Sequence, residues 1–401
     1  MRRHLRPPVR IVSVTHAYPR HQGDLAGAFI ERLLIALQRR GHAVEVVTPA
    51  DGGIGGRSEE RGVIVNRVRY APAGWETLAH RGTMASALRS PRGVAALASL
   101  IAAQGRAVRT ASRRGPPVDV VHAHWWIPGG ISAWLASSRG GAPYLVTLHG
   151  TDVAVLGRSA LARAVARRVL RRAAAVTAVS SYLAQRAAEA TGLDPRTIVV
   201  QPMPLDAGRL SRVSAGGGGI VTVGRLTGQK RIPLIVEALA ALKRRGRRLS
   251  LTIVGDGPER QVIAERAGAL GVADQVRFTG SVEPGRVPDA IGDADVFAFT
   301  AAGEGFGLAA AEALALGVPV VAMEGGGGVT DVVPPTGPGR VVPEGDVEAF
   351  ASALDELAGS PDARRLAAEL GARLKLQLAP ESVAERFEAI YKRVAREVHR
   401  A

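Results

Sequence analysis

The 401-residue chain contains no cysteine. That excludes a disulfide scaffold, a thiolate metal site and a cysteine nucleophile. No run of about 18 uncharged apolar residues occurs, so no segment reads as a membrane span. The basic start, Met1-Arg-Arg-His-Leu-Arg-Pro-Pro, leads into a short strand-like run from Val9 to Val14, not a long apolar stretch with a cleavage site. The expectation is therefore a cytoplasmic protein. Several catalytic signatures are missing as well. The first strand is not followed by Gly-x-Gly-x-x-Gly, which weakens a hydride-transfer reading, and no Gly-x-x-x-x-Gly-Lys-Ser/Thr loop supports an NTPase. No Gly-x-Ser-x-Gly elbow supplies a hydrolase nucleophile. His122, His124 and His149 lack the His-Glu-x-x-His helix or further regularly spaced ligands of a zinc site, so no metal is expected.

Hydrophobic residues make up 46% of the chain and charged residues 22%. This ordinary globular balance excludes global disorder, and the length suits two domains. Net charge is +16, unevenly placed: residues 1–205 carry +17 and the remainder −1. Most of the basic residues are arginine. A genomic bias towards arginine would not leave the second half neutral, so the first half is expected to face something anionic.

Short apolar runs alternate with helical patterns. Strands are predicted at Arg10–Thr15, Ala43–Thr48, Val63–Val68, Val118–His122, Tyr144–Leu148, Ala174–Val179 and Ile198–Val200. An amphipathic helix is predicted at Leu25–Arg40, with Gly41 placed to end it. Residues 75–115 read as helices interrupted by Pro91 and Gly93. The stretch Gln201–Gly219 suits a linker. The alternation then restarts, with strands at Ile220–Val223, Ser250–Val254, Gln275–Thr279, Ala294–Phe299 and Val318–Met323. Helices are predicted at Pro233–Arg245, Glu259–Leu270, Leu308–Leu316, Val347–Ala358 and Ser382–Val398, and loops at Gly325–Gly328 and Pro334–Gly339. The pattern is α/β: two Rossmann-like, doubly wound parallel-sheet domains facing a cleft.

Glu304-Gly-Phe-Gly-Leu-Ala-Ala-Ala-Glu312 follows a predicted strand and opens a helix. Gly305 and Gly307 allow a ligand close to the backbone, and the helix start presents free N–H groups suited to phosphate. Glu304 and Glu312 lie at different depths along one ligand and suit hydroxyl groups. The competing reading has Glu304 capping the helix and Glu312 solvated. A second junction, Val223-Gly-Arg-Leu-Thr-Gly-Gln-Lys-Arg231, offers Arg225 for bidentate phosphate contact and Lys230 as a compact charge. Together they suit a diphosphate leaving group; the alternative is a solvated basic turn. Val254-Gly-Asp-Gly-Pro-Glu259 is a weaker junction of the same kind. In the first half, Gly23-Asp-Leu-Ala-Gly27 opens helix one. His149-Gly-Thr-Asp152 and His122-Ala-His124-Trp-Trp126 sit at strand ends, where ligands bind in such sheets.

These residues resemble glycosyltransferase family 4 (glycosyl transferases group 1), the large retaining group with the GT-B fold. Glu304 to Glu312 is similar to the family's Glu-x7-Glu motif, and Gly224-Arg225 with Lys230 to its diphosphate site. Gly255-Asp-Gly-Pro258, Phe278-Thr-Gly-Ser-Val282, Tyr18-Pro19, Gly27, Arg40-Gly-His-Ala-Val44, His122-Ala-His124 and Leu148-His-Gly-Thr-Asp152 also resemble it. Arg231 departs from a usual Gly, Asp331 from a usual Glu, and Gln201-Pro-Met-Pro-Leu-Asp206 from a common Pro-Asn-Gly-Val-Asp. The resemblance implies a UDP- or GDP-sugar donor and no further cofactor. Arg225 and Lys230 would hold the diphosphate, Glu304 the sugar hydroxyls and Glu312 the ribose. Amides of Phe306, Gly307 and Leu308 would touch phosphate and sugar. His149 would lie near the donor sugar, and Gly27 would let its loop close over the diphosphate.

The resulting expectation is a retaining, metal-independent hexosyltransferase acting on a glycan, lipid-linked or small-molecule acceptor. Residues 1–203 would form the acceptor-side domain, 204–380 the nucleotide-sugar domain, and 381–401 a helix packing back on the first. Two alternatives are a nucleotide-sugar epimerase and a catalytically silent scaffold that binds a partner or membrane. The basic first half, and a helix at Ser159–Arg172 with Leu161, Val165 and Val169 opposite Arg163, Arg167 and Arg171, suggest peripheral binding to an anionic membrane at the inner face. No recognised nucleic-acid motif occurs, and nucleic acid is not expected as a partner.

Overall fold

The structure is a computed structural model that describes residues 8–80, 84–87, 89–138, 140–210 and 216–398. The chain divides into two compact units, Met1–Pro204 with Pro380–Ala401, and Leu205–Ala379.

In the first unit the strands are β1 (Arg10–Val14), β2 (Ala43–Pro49), β3 (Gly56–Glu60), β4 (Val63–Val68), β5 (Val120–His124), β6 (Tyr144–Leu148), β7 (Ala175–Ala178) and β8 (Ile198–Val200). The helices are α1 (Ala28–Arg39), α2 (Met84–Ala87), α3 (Pro91–Arg113), α4 (Ile131–Ser137), α5 (Thr151–Leu156), α6 (Ala160–Arg172) and α7 (Ser181–Thr191). The sheet runs β3-β4-β2-β1-β5-β6-β7-β8. Among the described strands of this sheet, only the β3–β4 pair is antiparallel. That hairpin turns at Arg61-Gly62, both with positive φ (53° and 79°), as a two-residue primed turn requires. Its edge strand is short, polar and largely exposed, which discourages further pairing. The sequence pattern gave no sign of it, because Gly-Arg-Ser-Glu-Glu has no apolar alternation.

Strand order reverses between β1 and β5, so ligands are expected at the carboxyl ends of these strands. Helix α1 buries Ile30, Leu33, Leu34 and Leu37, one stripe at three- and four-residue spacing. It starts at Ala28, three residues later than the sequence suggested, and Leu25 is exposed. Gly27 adopts φ 72°, and a Cβ there would run into the Ala17 carbonyl oxygen. Helix α3 is continuous. Pro91 is its first residue and Ser90 caps it through Gly93 N (3.1 Å), so the helical stretch breaks before Pro91 as expected, but Gly93 lies inside α3 and interrupts nothing.

The predicted face of α6 also needs correction. Leu161 is 74% exposed, whereas Ala166, Val169 and Leu170 are buried. Arg163 turns back to the Leu156 carbonyl (3.0 Å). The packed side is set by the closing half of the helix, where Val169 lies over Gly130. Arg167, Arg168, Arg171 and Arg172 are exposed.

The second unit has strands β9 (Ile220–Val223), β10 (Leu251–Val254), β11 (Val276–Gly280), β12 (Val296–Phe299), β13 (Val320–Met323) and β14 (Gly339–Val342). Its helices are α8 (Pro233–Arg244), α9 (Arg260–Ala269), α10 (Val287–Gly292), α11 (Leu308–Ala315), α12 (Val347–Leu357) and α13 (Pro361–Gln377). The all-parallel order β11-β10-β9-β12-β13-β14 reverses between β9 and β12. Strand β14 begins at Gly339, the last residue of the expected loop, and α13 was not anticipated. A Cβ on Gly371 of α13 would strike the Leu314 carbonyl, so this helix rests directly on α11. The final helix, α14 (Pro380–Val398), belongs to the first unit and packs on α1. Arg40 and His42 both meet Glu388 there, and Tyr391 hydroxyl meets His122 Nδ1 at 2.8 Å. Among the described residues no helix is long and apolar enough to cross a membrane.

Candidate functional site

Four loops meet above the reversal point of the second sheet. The loop after β9 hydrogen-bonds to the loop after β10, with Leu226 N donating to Asp256 O (3.0 Å) and Glu259 N to Leu226 O (3.1 Å). The loop after β12 bonds to the loop after β13: Gly303 N donates to Gly325 O (2.8 Å), Glu304 N to Gly326 O (3.1 Å) and Gly328 N to Glu304 O (2.9 Å). Thr300 Oγ1 joins the two halves by donating to Lys230 O at 2.8 Å.

This network places Lys230 Nζ 2.6 Å from Glu304 Oε1, with both side chains 23% exposed. Lys230 also lies over the Phe299 ring, 6.0 Å from its centroid. Glu304 does not cap α11. The cap position is Gly307, at φ 84° and without any side-chain hydrogen bond. A Cβ at Gly307 would come within 3.0 Å of Val329. The first N–H groups of α11 have no partner within the helix, as at any helix start. Phe306 is buried, Leu308 half-buried, and Glu312 is a half-buried residue in the second turn. Arg225 is exposed in the loop after β9. Arg231 takes a left-handed conformation, φ 47° and ψ 38°, which explains why glycine suits this position. Here its guanidinium binds Thr300 O (2.8 Å) and Glu344 (2.5 Å).

In the first unit, the carboxyl ends of β1, β5 and β6 gather a different set of side chains. The Trp125 ring lies 4.1 Å from the His16 ring and 4.4 Å from the His149 ring, between centroids. Phe29, two residues after Gly27, lies 5.3 Å from His149. His124 Nδ1 and His149 Nε2 are 3.0 Å apart, and His122 Nε2 meets Thr147 Oγ1 at 2.7 Å. Burial pushes all four imidazoles down: His16 and His124 to about 3, and His122 and His149 well below their ordinary value. At neutral pH His149 is therefore an uncharged hydrogen-bonding group, not a counter-charge for phosphate. Among the described residues no group of three or more His, Asp or Glu is arranged to hold a metal ion.

Asp152 anchors this region. Its carboxylate accepts from the backbone N–H of His149 (3.2 Å), Gly150 (3.0 Å) and Trp126 (3.1 Å). Burial nonetheless raises its pKa, because desolvation outweighs these bonds. Sequence reasoning placed Asp152 in a motif without assigning it a task. The signal was the aspartate three residues after His149, a spacing from which a carboxylate can reach back to the preceding backbone. His16 and Thr300 carried no comparable signal.

Comparison with known proteins follows these two halves. Residues 26–204 match the glycosyl transferase 4-like domain and residues 216–373 the glycosyl transferases group 1 family. The chain is 30% identical over 374 residues to the GDP-mannose-dependent alpha-(1-6)-phosphatidylinositol monomannoside mannosyltransferase of Mycobacterium tuberculosis, covering 87% of this chain and 89% of that one. The chain belongs to the group 1 glycosyl transferases. It is also 30% identical over 275 residues to 2-deoxystreptamine glucosyltransferase of Streptomyces kanamyceticus, covering 62% of this chain and 70% of the relative. Its fold matches sucrose-phosphate synthase from Thermosynechococcus elongatus with a TM-score of 0.77 at 21% identity, over 96% of this chain and 99% of that one. Anabaena HepE in complex with UDP and glucose gives a TM-score of 0.71 at 19% identity, over 96% and 99%. The fold of this glycosyltransferase is thus GT-B.

Proposed function

We propose that this glycosyltransferase is a retaining, metal-independent hexosyltransferase using a UDP- or GDP-sugar. The observation that carries the reading is the Lys230–Glu304 pair, a cation and a carboxylate held side by side at the reversal point and next to the start of α11. The cation suits a diphosphate and the carboxylate suits sugar hydroxyls. A nucleotide sugar presents both groups a few ångströms apart.

Departure of the nucleoside diphosphate builds negative charge on its outer phosphate. Arg225, Lys230 and the amides of Phe306, Gly307 and Leu308 offset that charge without a metal ion. Glu304 accepts hydrogen bonds from sugar hydroxyls and Glu312 from the ribose. The acceptor hydroxyl attacks from the face the diphosphate leaves, which retains configuration, and the departing phosphate oxygen takes the hydroxyl proton.

The names of relatives support the choice of donor and acceptor classes. One is GDP-mannose-dependent and acts on a phosphatidylinositol monomannoside, and HepE binds UDP-glucose. These names, with that of the 2-deoxystreptamine glucosyltransferase, support a glycan, lipid-linked or small-molecule acceptor for this chain. A cytoplasmic location, with peripheral association through the exposed arginines of α6, fits the +17 charge of residues 1–205. Incubation with a panel of UDP- and GDP-sugars together with glycan, lipid-linked and small-molecule acceptors, with and without EDTA, tests the proposal. One donor should raise the melting temperature and release nucleotide in EDTA, and NMR of the product should show the donor's anomeric configuration. An inverted product, activity only with added magnesium or manganese, or no response to any donor would each refute the corresponding part.

A further inference from the structure

We propose that the first unit binds a phosphate-bearing ligand in a pocket between α3 and α4, away from the strand ends that carry His149. The cavity measures about 740 Å³, within the range of small-molecule sites (roughly 300–1,000 Å³). Arg106, Arg109 and Arg113 line it from α3, and Leu135, Ser138 and Gly141 from α4 and the turn after it. The arginines are three, four and seven residues apart, so they share one face of the helix. Among the described residues no carboxylate lines the cavity.

Its place in the fold separates it from the site described above. Arg10, the first residue of β1, donates to the carbonyls of Ala111 and Pro116, which pins the end of α3 to the amino end of that strand. Gly141 precedes the first residue of β6 by three positions. His16, Trp125 and His149 leave the opposite, carboxyl ends of β1, β5 and β6.

The charge pattern points to a ligand. In the second unit Arg244, Arg247, Arg248, Arg266 and Arg340 each pair with a carboxylate. Arg106, Arg109 and Arg113 have no such partner among the described residues, and only Arg109 makes a protein hydrogen bond, to Leu135 O at 3.3 Å. Each guanidinium therefore keeps donors in the fork geometry that fits phosphate oxygens. Like charges at this spacing repel, and an anion in the cavity relieves the repulsion. The cationic wall continues into an adjoining cavity of about 300 Å³, lined by Arg172, Trp134 and Tyr144 and sharing Ser138 and Gly141. Arg168 lies over the Trp134 ring at 5.6 Å. The phosphate could belong to a soluble compound or to a lipid headgroup; the chemistry recognised is the same.

The full chain carrying Arg225→Ala and Lys230→Ala, which disables the proposed donor site, is titrated with inorganic pyrophosphate by calorimetry. Retained binding at one site is expected. Adding Arg106→Ala and Arg113→Ala should weaken it about a hundredfold, roughly tenfold for each charge-assisted contact. Both residues are exposed helix positions where alanine preserves the fold. Adding Arg92→Ala and Arg158→Ala instead removes equal charge elsewhere on the unit and should leave affinity within about twofold. Flotation of the same variants with phosphatidylcholine vesicles, with and without phosphatidic acid, identifies the source. Loss confined to the Arg106/Arg113 variant in the vesicle arm alone assigns a lipid headgroup, and loss in the pyrophosphate arm assigns a soluble ligand. Equal effects of the two arginine pairs in both arms, or none, overturn the proposal. Failure of the donor panel above would leave it standing.

Discussion

Lys230 and Glu304 are 74 positions apart in the chain, yet their ammonium and carboxylate groups are 2.6 Å apart. They come from loops after β9 and β12, the two strands between which the sheet reverses. A partly exposed pair of this kind contributes under about 1 kcal/mol to stability. A charge-assisted contact to a ligand is worth about 1.5–3 kcal/mol. Glu304→Gln should therefore leave the melting temperature nearly unchanged while lowering turnover. Full transfer activity in a folded Glu304→Gln enzyme would make Glu304 a structural partner of Lys230 and nothing more.

Arg225→Ala and Lys230→Ala should each weaken donor binding and slow turnover by roughly tenfold or more. Lys230→Arg is a sharper probe. It keeps the charge but replaces a compact ammonium with a planar fork, so a loss in this variant reports geometry and not charge. Steady-state kinetics with the preferred sugar nucleotide would read both effects, and unchanged kinetics in both alanine variants would remove the diphosphate assignment.

Gly27 and Gly41 separate backbone strain from collision. Both have positive φ, 72° and 91°, but a Cβ at Gly41 has nothing within 4 Å whereas one at Gly27 strikes the Ala17 backbone. Gly41→Ala should cost about 1–2 kcal/mol, the strain alone. Gly27→Ala should cost more than that, because two backbone segments must separate. Denaturant unfolding of the two variants gives the comparison, and equal losses would mean that the loop before α1 yields freely.

Acid should destabilise the first unit through its buried histidines. His16 and His124 fall from 6.5 to about 3 in the fold. The unfolded chain therefore binds protons that the folded chain refuses. Stability is fully present above about pH 6.5 and falls as the pH drops towards 3, by at most about 1.4 kcal/mol per pH unit for each histidine. His124→Phe should flatten the dependence of unfolding free energy on pH between 6.5 and 4. An unchanged slope would show that His124 is not buried uncharged.

The legible parts of the molecule were those with a local cause. Parallel strands buried on both faces are continuous apolar runs, and β1, β6, β9 and β13 fell where such runs lie. Proline marked the first turn of α8. It also marked the break before α3 at Pro91, whereas Gly93, expected to interrupt the helical stretch as well, lies inside α3. Strand β3 and helix α13 went unread for another reason. One is polar, and the other takes its buried side from Ala363, Ala367, Gly371 and Leu374, which form a weak apolar stripe.

The sequence by itself determined the two α/β units, the strand-to-helix junctions and the residue types offered at them, since spacing and glycine placement are properties of the chain. Tertiary structure alone decided which of these residues meet. The partner of Glu304 and the His124–His149 contact both depend on strand order, which no local pattern encodes. The same holds for the buried side of α6, where Leu161 had looked inward and is exposed. A helix's periodicity fixes which residues share a face, but only the neighbour it packs against selects the face that leaves water.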